Sequence, residues 1–165
     1  MANPEQLARL RQGVGPWNQW RQQMKNSFQV GINLGQAELT SADLSGVNLN
    51  LADLSGADLS GASLKGAILG YANLERANLS GADLRAANLT GANLSGANLS
   101  GANLNGAQIT YGSLREADLS DADLSRANVL GTDFRGTVLT GTRTGDAIFG
   151  HNPGLREALS HFGPG

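Results

Sequence analysis

The sequence predicts a repeat solenoid, and three observations carry that prediction. Stepping by five from Leu34 to Leu139 passes through 22 positions, of which 19 are leucine and the others Ile109, Val129 and Phe134. The residue two places before each of these centres is alanine in 17 cases, and the residue two places after is glycine in 12. Aromatic residues make up only 5% of the chain and charged residues 16%, so an ordinary core of large side chains is out of reach. Something small and regular must be buried instead, and the repeating unit reads Ala-(Asp/Asn)-Leu-Ser-Gly.

A period of five excludes both common elements. Five residues of helix turn about 500°, so the leucines would spiral round the axis instead of lining one face. In a strand, where side chains alternate, a step of five throws successive leucines to opposite sides. Keeping every leucine inside requires the chain to turn once per pentad. Glycine two places after each centre and Asn or Asp just before it, in 16 of 22 cases, supply the turn residues.

The run ANLTGANLSGANLSGANLNG at 87–106 resembles the pentapeptide-repeat family. That resemblance implies an all-β solenoid, a right-handed quadrilateral β-helix with four pentads to a coil. It covers residues 32–149 and divides the chain into a helical cap at 1–31, the β-helix at 32–149 and a short helical cap at 150–165. Five to six coils spaced about 4.8 Å apart make a shaft on the order of 30 Å long. Leu54, Leu74, Leu94, Leu114 and Phe134 are then expected in one stacked core column. Each contributes about 1.5–3 kcal/mol when fully buried.

Both ends break the period. Asn3 is a suitable N-cap, Pro4 suits the first helical position, Gln6 falls near the capping-box place, and Leu7, Leu10 and Val14 recur at helical spacing. A second helix is expected from Pro16, with Trp17, Trp20 and Met24 on one face. That face is either a plug over the open bottom of the leucine stack or an aromatic docking surface; an exposed coil end is a sheet edge, which favours the plug. The string GVGPWNQWR resembles leader segments of cyanobacterial members of the family. At the other end the pattern weakens through Thr132, Thr137 and Thr142, followed by a last unit around Phe149. Asn152 and Pro153 then repeat the cap signature ahead of Leu155, Leu159 and Phe162 at i, i+4, i+7. This segment is either a cap or a dimerisation element.

No catalytic constellation is legible. The two histidines, His151 and His161, both lie near the C-terminus, and the frequent serines, Ser95 and Ser100 among them, read as solvent-facing filler. Neither a phosphate-loop pattern nor a calcium-loop spacing occurs, and there is no cysteine. The expectation is a non-enzymatic protein without cofactor or metal, cytoplasmic, with no membrane span, and a monomer or weak homodimer.

With twenty residues per coil, residues 20 apart share a wall. Leu51, Ile68, Tyr71, Tyr111, Leu130 and Ile148 then fall on the wall centred at Leu49 to Phe149, and elsewhere Val138 is the comparable exception. An apolar stripe on a polar shaft points to a protein partner. It could instead lie under the terminal helices, or its tyrosines could stack as a ladder. Some family members protect DNA gyrase, by the family explanation through imitating duplex DNA. DNA carries a charge per about 1.7 Å, so a 30 Å mimic would need roughly 17. Residues 32–149 hold 12 acids and 7 bases, and none lies between Ala86 and Leu114. A nucleic-acid binder is disfavoured because Lys65, Arg85 and Arg126 share a wall with Asp43, Asp83 and Asp123. The leading expectation is a scaffold or interaction rod, with gyrase protection the alternative.

Overall fold

A computed structural model describes residues 1–24 and 31–160. Its shaft is built by twenty parallel one-residue bridges, from Asn33 with Asp53 up to Asn128 with Ile148, and every one joins residues 20 apart. Four pentads therefore close each coil, and the shaft has four walls. The first is centred on Leu34 to Phe134, the second on Leu39 to Leu139, the third on Leu44 to Thr144 and the fourth on Leu49 to Phe149. Corners come every five residues, which leaves no room for extended strands; the coils are held by single bridges on each wall.

The hydrogen bonds explain why the pentad has its sequence. At one interface the Leu34 amide donates to Asp53 O at 2.7 Å, the Asp53 amide to Ile32 O at 2.8 Å and the Gln36 amide to Ser55 O at 2.8 Å. The Ala37 amide closes the corner on Leu34 O at 3.0 Å. The Asn or Asp before each centre turns its side chain onto the chain two residues ahead: Asp58 Oδ1 accepts both the amide of Ser60 at 3.0 Å and its hydroxyl at 2.7 Å. Ser95 and Ser100 do the same with Asn93 and Asn98. These serines fasten the corner and are more than filler, a local contact that the period does not reveal. Asn also bridges coils, as where Asn93 Nδ2 donates to Asn73 Oδ1 at 3.2 Å.

The centres pile into one dry column. Leu54, Leu74, Leu94, Leu114 and Phe134 are all fully buried, with the alanines of each wall beside them. Phe149, expected as one more centre, lies at the surface instead, because no further coil stacks on it.

At the lower end, α1 (Pro4–Leu10) and α2 (Val14–Gln23) lie against the first coil. Asn3 caps α1 by accepting from the amides of Glu5 and Gln6. Gln6 makes no capping box: its amide reaches the coil edge, donating to Gly31 O at 2.9 Å and accepting from the Asn33 amide at 2.8 Å. The second helix starts at Val14, two residues before the expected Pro16, since a proline in the first turn removes an amide that had no helical partner. Asn18 repeats the Gln6 device, accepting from the Asn48 amide and donating to Gly46 O. Trp17, fully buried, donates to Asn48 O at 2.8 Å, and Leu10 is buried with it. Trp20 is half-buried, its ring 4.9 Å from that of Trp17, with Arg9 over its face and Leu7 packed nearby. Side-chain amides thus stand where peptide groups of another coil would be.

The upper end differs from expectation. Thr132, Thr137 and Thr142 are buried and donate to the carbonyls of Ile109, Leu114 and Leu119 at 2.7, 2.6 and 2.8 Å. The apparent decay of the repeat is a substitution of hydroxyls that find partners inside the core, as buried hydroxyls must. Asn152 continues the series onto Val129 O and so caps the coil; it does not cap the helix. The helix α3 (Leu155–Leu159) is entered through Gly154 at φ 77°. A Cβ there would stand 2.4 Å from Arg135 N, so the turn presses directly on the last coil. His161 and Phe162 lie outside the described residues.

Candidate interaction face

Unrolling the shaft sorts its charges. The 12 acids and 7 bases between 32 and 149 all fall on the first three walls. On the third wall Arg85 grips Asp83 at 2.8 and 2.6 Å, and Arg143 meets Asp123 at 3.0 Å. On the first, Asp133 takes Arg135 and, at 3.7 Å, Arg115. The guanidinium donors of Arg85 and Arg135 are the largest cause holding Asp83 and Asp133 below the ordinary carboxylate range, against partial burial that pushes the other way. The second wall carries Glu38, Asp58, Asp118 and Asp121 and no base. The fourth carries no charge of its own, although Arg21 of α2 reaches Asn50 O at its lower rim at 2.8 Å.

All six predicted stripe residues lie on the fourth wall or its corner, and all six are exposed. Tyr111 is 71% accessible, Leu51 68% and Tyr71 64%, with Ile148, Ile68 and Leu130 less so. Val138, on the second wall, is the matching exception. Although α2 bonds the lower rim of the fourth wall at Gly46, Asn48 and Asn50, it leaves Leu51 and Ile68 open. Nor do the tyrosines form a ladder. The ring of Tyr71 lies on Gly91 and that of Tyr111 on Gly131, so a glycine coil separates them.

One property of these residues comes with their place in the pentad. Every corner residue two places after a centre from Leu34 to Thr144 has positive φ, and eleven of these are not glycine. Leu51, Tyr71 and Tyr111 are among them, at φ 62°, 55° and 58°. A side chain in this region costs roughly 1–2 kcal/mol relative to the right-handed conformation, which glycine would avoid. On this wall the strain is carried by large apolar groups facing solvent, and an outlier of that kind is a pointer to function.

Catalytic groups do not converge among the described residues. Among the described residues no three His, Asp or Glu side chains come together as metal ligands. His151 borders an open cleft of about 700 Å³ with Arg135, Arg156 and Glu157, and no hydroxyl among the described residues lines it. A second cleft, about 440 Å³, runs between α3 and Thr137–Thr140. No helix among the described residues is long and apolar enough to cross a membrane.

Comparison with known proteins agrees with the coil geometry. The family model described as pentapeptide repeats matches residues 32–70, 67–106 and 102–141, in eight copies. The crystal structure of HetL, a pentapeptide repeat protein involved in heterocyst differentiation regulation in the cyanobacterium Nostoc sp. strain PCC 7120, is 32% identical, with a TM-score of 0.52. The match covers 74% of this chain but 61% of HetL, so the chain spans less than two thirds of that relative. The pentapeptide repeat protein alr5209, also from Nostoc, is 32% identical over 55% of this chain and 81% of its own, with a TM-score of 0.46. AT2G44920, from the Arabidopsis thaliana thylakoid lumen, is 35% identical over 70% of this chain and 74% of its own, at a TM-score of 0.34. No curated protein matches the chain.

Proposed function

The chain belongs to the pentapeptide-repeat family, and from that premise we propose that it is a non-enzymatic rod that binds another protein through its fourth wall. The same premise supports a right-handed quadrilateral β-helix from 32 to 149 between helical caps at 1–31 and 150–165. The observation that carries the functional reading is the conjunction on one wall of complete charge exclusion with large apolar side chains in strained backbone. Interaction surfaces are depleted of charge at their centres and enriched in tyrosine, which combines a large apolar area with a polar tip. The regulatory involvement of HetL accords with a binding role.

Gyrase protection through DNA mimicry is the weaker reading. Its best support is the acidic second wall, where Glu38, Asp58, Asp118 and Asp121 have no basic neighbour on that face. Four charges along about 25 Å give one per about 6 Å, far sparser than the one per about 1.7 Å of duplex DNA.

The test replaces Tyr71 and Tyr111 together by glycine, the residue most pentads carry at that corner. The double variant is expected to fold, with stability within about 1 kcal/mol of the parent, because relief of positive φ offsets the lost ring contacts. Affinity capture with parent and variant side by side should then lose the bound protein. An unchanged set of captured proteins removes the fourth wall from consideration.

A further inference from the structure

The fourth wall is compatible with itself in a way the second is not. Two copies of the second wall would bring four acids against four acids, whereas two copies of the fourth meet without any like-charge contact. Both ends of the rod are occupied in part by the caps: Gln6 and Asn18 take backbone groups at the lower rim, and Pro153 O receives the Phe134 amide at the upper. Side-by-side contact is therefore the open geometry.

The two tyrosines are also placed symmetrically about the middle of the shaft. Counting coils upward, Leu51 stands on the first, Ile68 and Tyr71 on the second, Tyr111 on the fourth and Leu130 on the fifth. The third, at Asn88, Thr90 and Gly91, has none. Reversing the order of coils exchanges Tyr71 with Tyr111 and Leu51 with Gly131, the neighbour of Leu130. Ile68 exchanges with the amide of Gln108, and Ile148 lies beyond the symmetric stretch. A two-fold axis lying in the face and running across the rod performs this reversal while keeping each column in place. Leu51, Tyr71, Gly91, Tyr111 and Gly131 share one such column. Both tyrosine rings lean upward by one coil, onto Gly91 and Gly131, so the tilt moves the axis without changing that pair.

We propose that the fourth wall is the interface of an antiparallel homodimer, with Tyr71 against the partner's Tyr111 and Leu51 against the partner's Gly131, beside the partner's Leu130. This rests on the reading of that wall as an interaction face and names its occupant as a second copy of the chain. The exposed surface is 8290 Å², so one wall holds at most about a quarter of it. Covering a third of such a wall on each copy buries about 1,400 Å² in total, toward the lower end of the range for specific complexes. Like other contacts between identical chains, it is self-complementary, each surface meeting its own copy.

Sedimentation velocity on the full chain, from micromolar to near-millimolar concentration, is the test. A reversible monomer–dimer equilibrium is expected, and its constant should change less than about two-fold between low and high sodium chloride, because no ion pair is in the contact. Tyr71→Lys should weaken association by at least ten-fold, while Ser80→Lys on the second wall leaves it alone; circular dichroism melting shows that both fold. The chain has no cysteine, so single cysteines report the register. A mixture of Leu51→Cys and Leu130→Cys chains should cross-link to each other on oxidation, and Leu51→Cys alone should not. A dimer indifferent to Tyr71→Lys, one that falls apart with salt, or a Leu51→Cys self-cross-link overturns the proposal. A chain monomeric at every concentration also overturns it. In that event, loss of a captured protein by the Tyr71/Tyr111 glycine variant keeps the wall as an interaction face, and no loss removes both readings.

Discussion

The ring of Tyr71 rests on Gly91 of the next coil so closely that a Cβ built on that glycine would stand 2.5 Å from both Cδ1 and Cε1. Tyr71 and Tyr111 are accommodated at their corners by a bare residue above each, Gly91 and Gly131. Gly91→Ala therefore meets two costs, a backbone φ of 67° and a ring in the way. Gly81, at φ 64° with nothing within 4 Å of its Cβ position, meets only the first. Gly81→Ala should cost about 1 kcal/mol, and Gly91→Ala measurably more in the same thermal or denaturant unfolding. Adding Tyr71→Gly to the second variant should bring the two alanines level.

The buried threonines of the last coil should respond to chemistry more than to shape. In Thr137→Val the hydroxyl bond to Leu114 O is lost, but that carbonyl keeps the Ala117 amide at 3.0 Å. No acceptor is orphaned, and the expected loss is about 1 kcal/mol. Thr137→Ala adds a cavity and should cost more. Equal melting of the valine variant and the parent would show the bond to be inconsequential.

Asn18 serves the lower rim twice, through Oδ1 at 2.8 Å from the Asn48 amide and Nδ2 at 2.9 Å from Gly46 O. Asn18→Ala should cost about 1–3 kcal/mol and release the Asn48 amide to fast hydrogen exchange. Asn18→Asp keeps the acceptor and loses the donor, so the Asn48 amide should stay protected in that variant alone.

Acid should loosen the rod in a narrow window. Asp83 and Asp133 are held low chiefly by the side chains of Arg85 and Arg135, and Asp43 and Asp58 chiefly by the hydroxyls of Ser45 and Ser60. A carboxyl whose folded pKa lies below its unfolded value near 3.9 binds fewer protons when folded. Its stabilisation is complete above that value and disappears as pH falls through the lowered pKa. The melting temperature should be level from pH 7 to about 5 and drop below about 4. Asp133→Asn preserves the turn acceptor but removes this contribution, so its acid limb should be shallower.

The column of leucines was legible from the chain alone because period five has one consequence: Leu94 and its equivalents can all face inward only if the chain turns once per pentad. The grouping of the stripe residues needed more than the period, because four pentads per coil, and with it 20-residue stacking, came from the family resemblance. Less could be read at the ends. The Val14 start of α2 and the use of Gln6 and Asn18 as substitutes for missing backbone depend on which coil groups lack partners, and pairing across 25 to 31 residues leaves no periodic signal. Thr132, Thr137 and Thr142 looked like decay because a sequence shows the loss of alanine and not the carbonyl waiting inside.

By itself the sequence determined the solenoid, its core and the identity of its outward residues, because a short repeat imposes one local geometry on every unit. Only the tertiary structure decided what those outward residues share. That each tyrosine ring covers a glycine of the next coil instead of a second ring, and that α2 leaves Leu51 and Ile68 open, are relations between separate turns of the chain. They arise when residues distant in sequence are brought within contact distance, and no local pattern contains them.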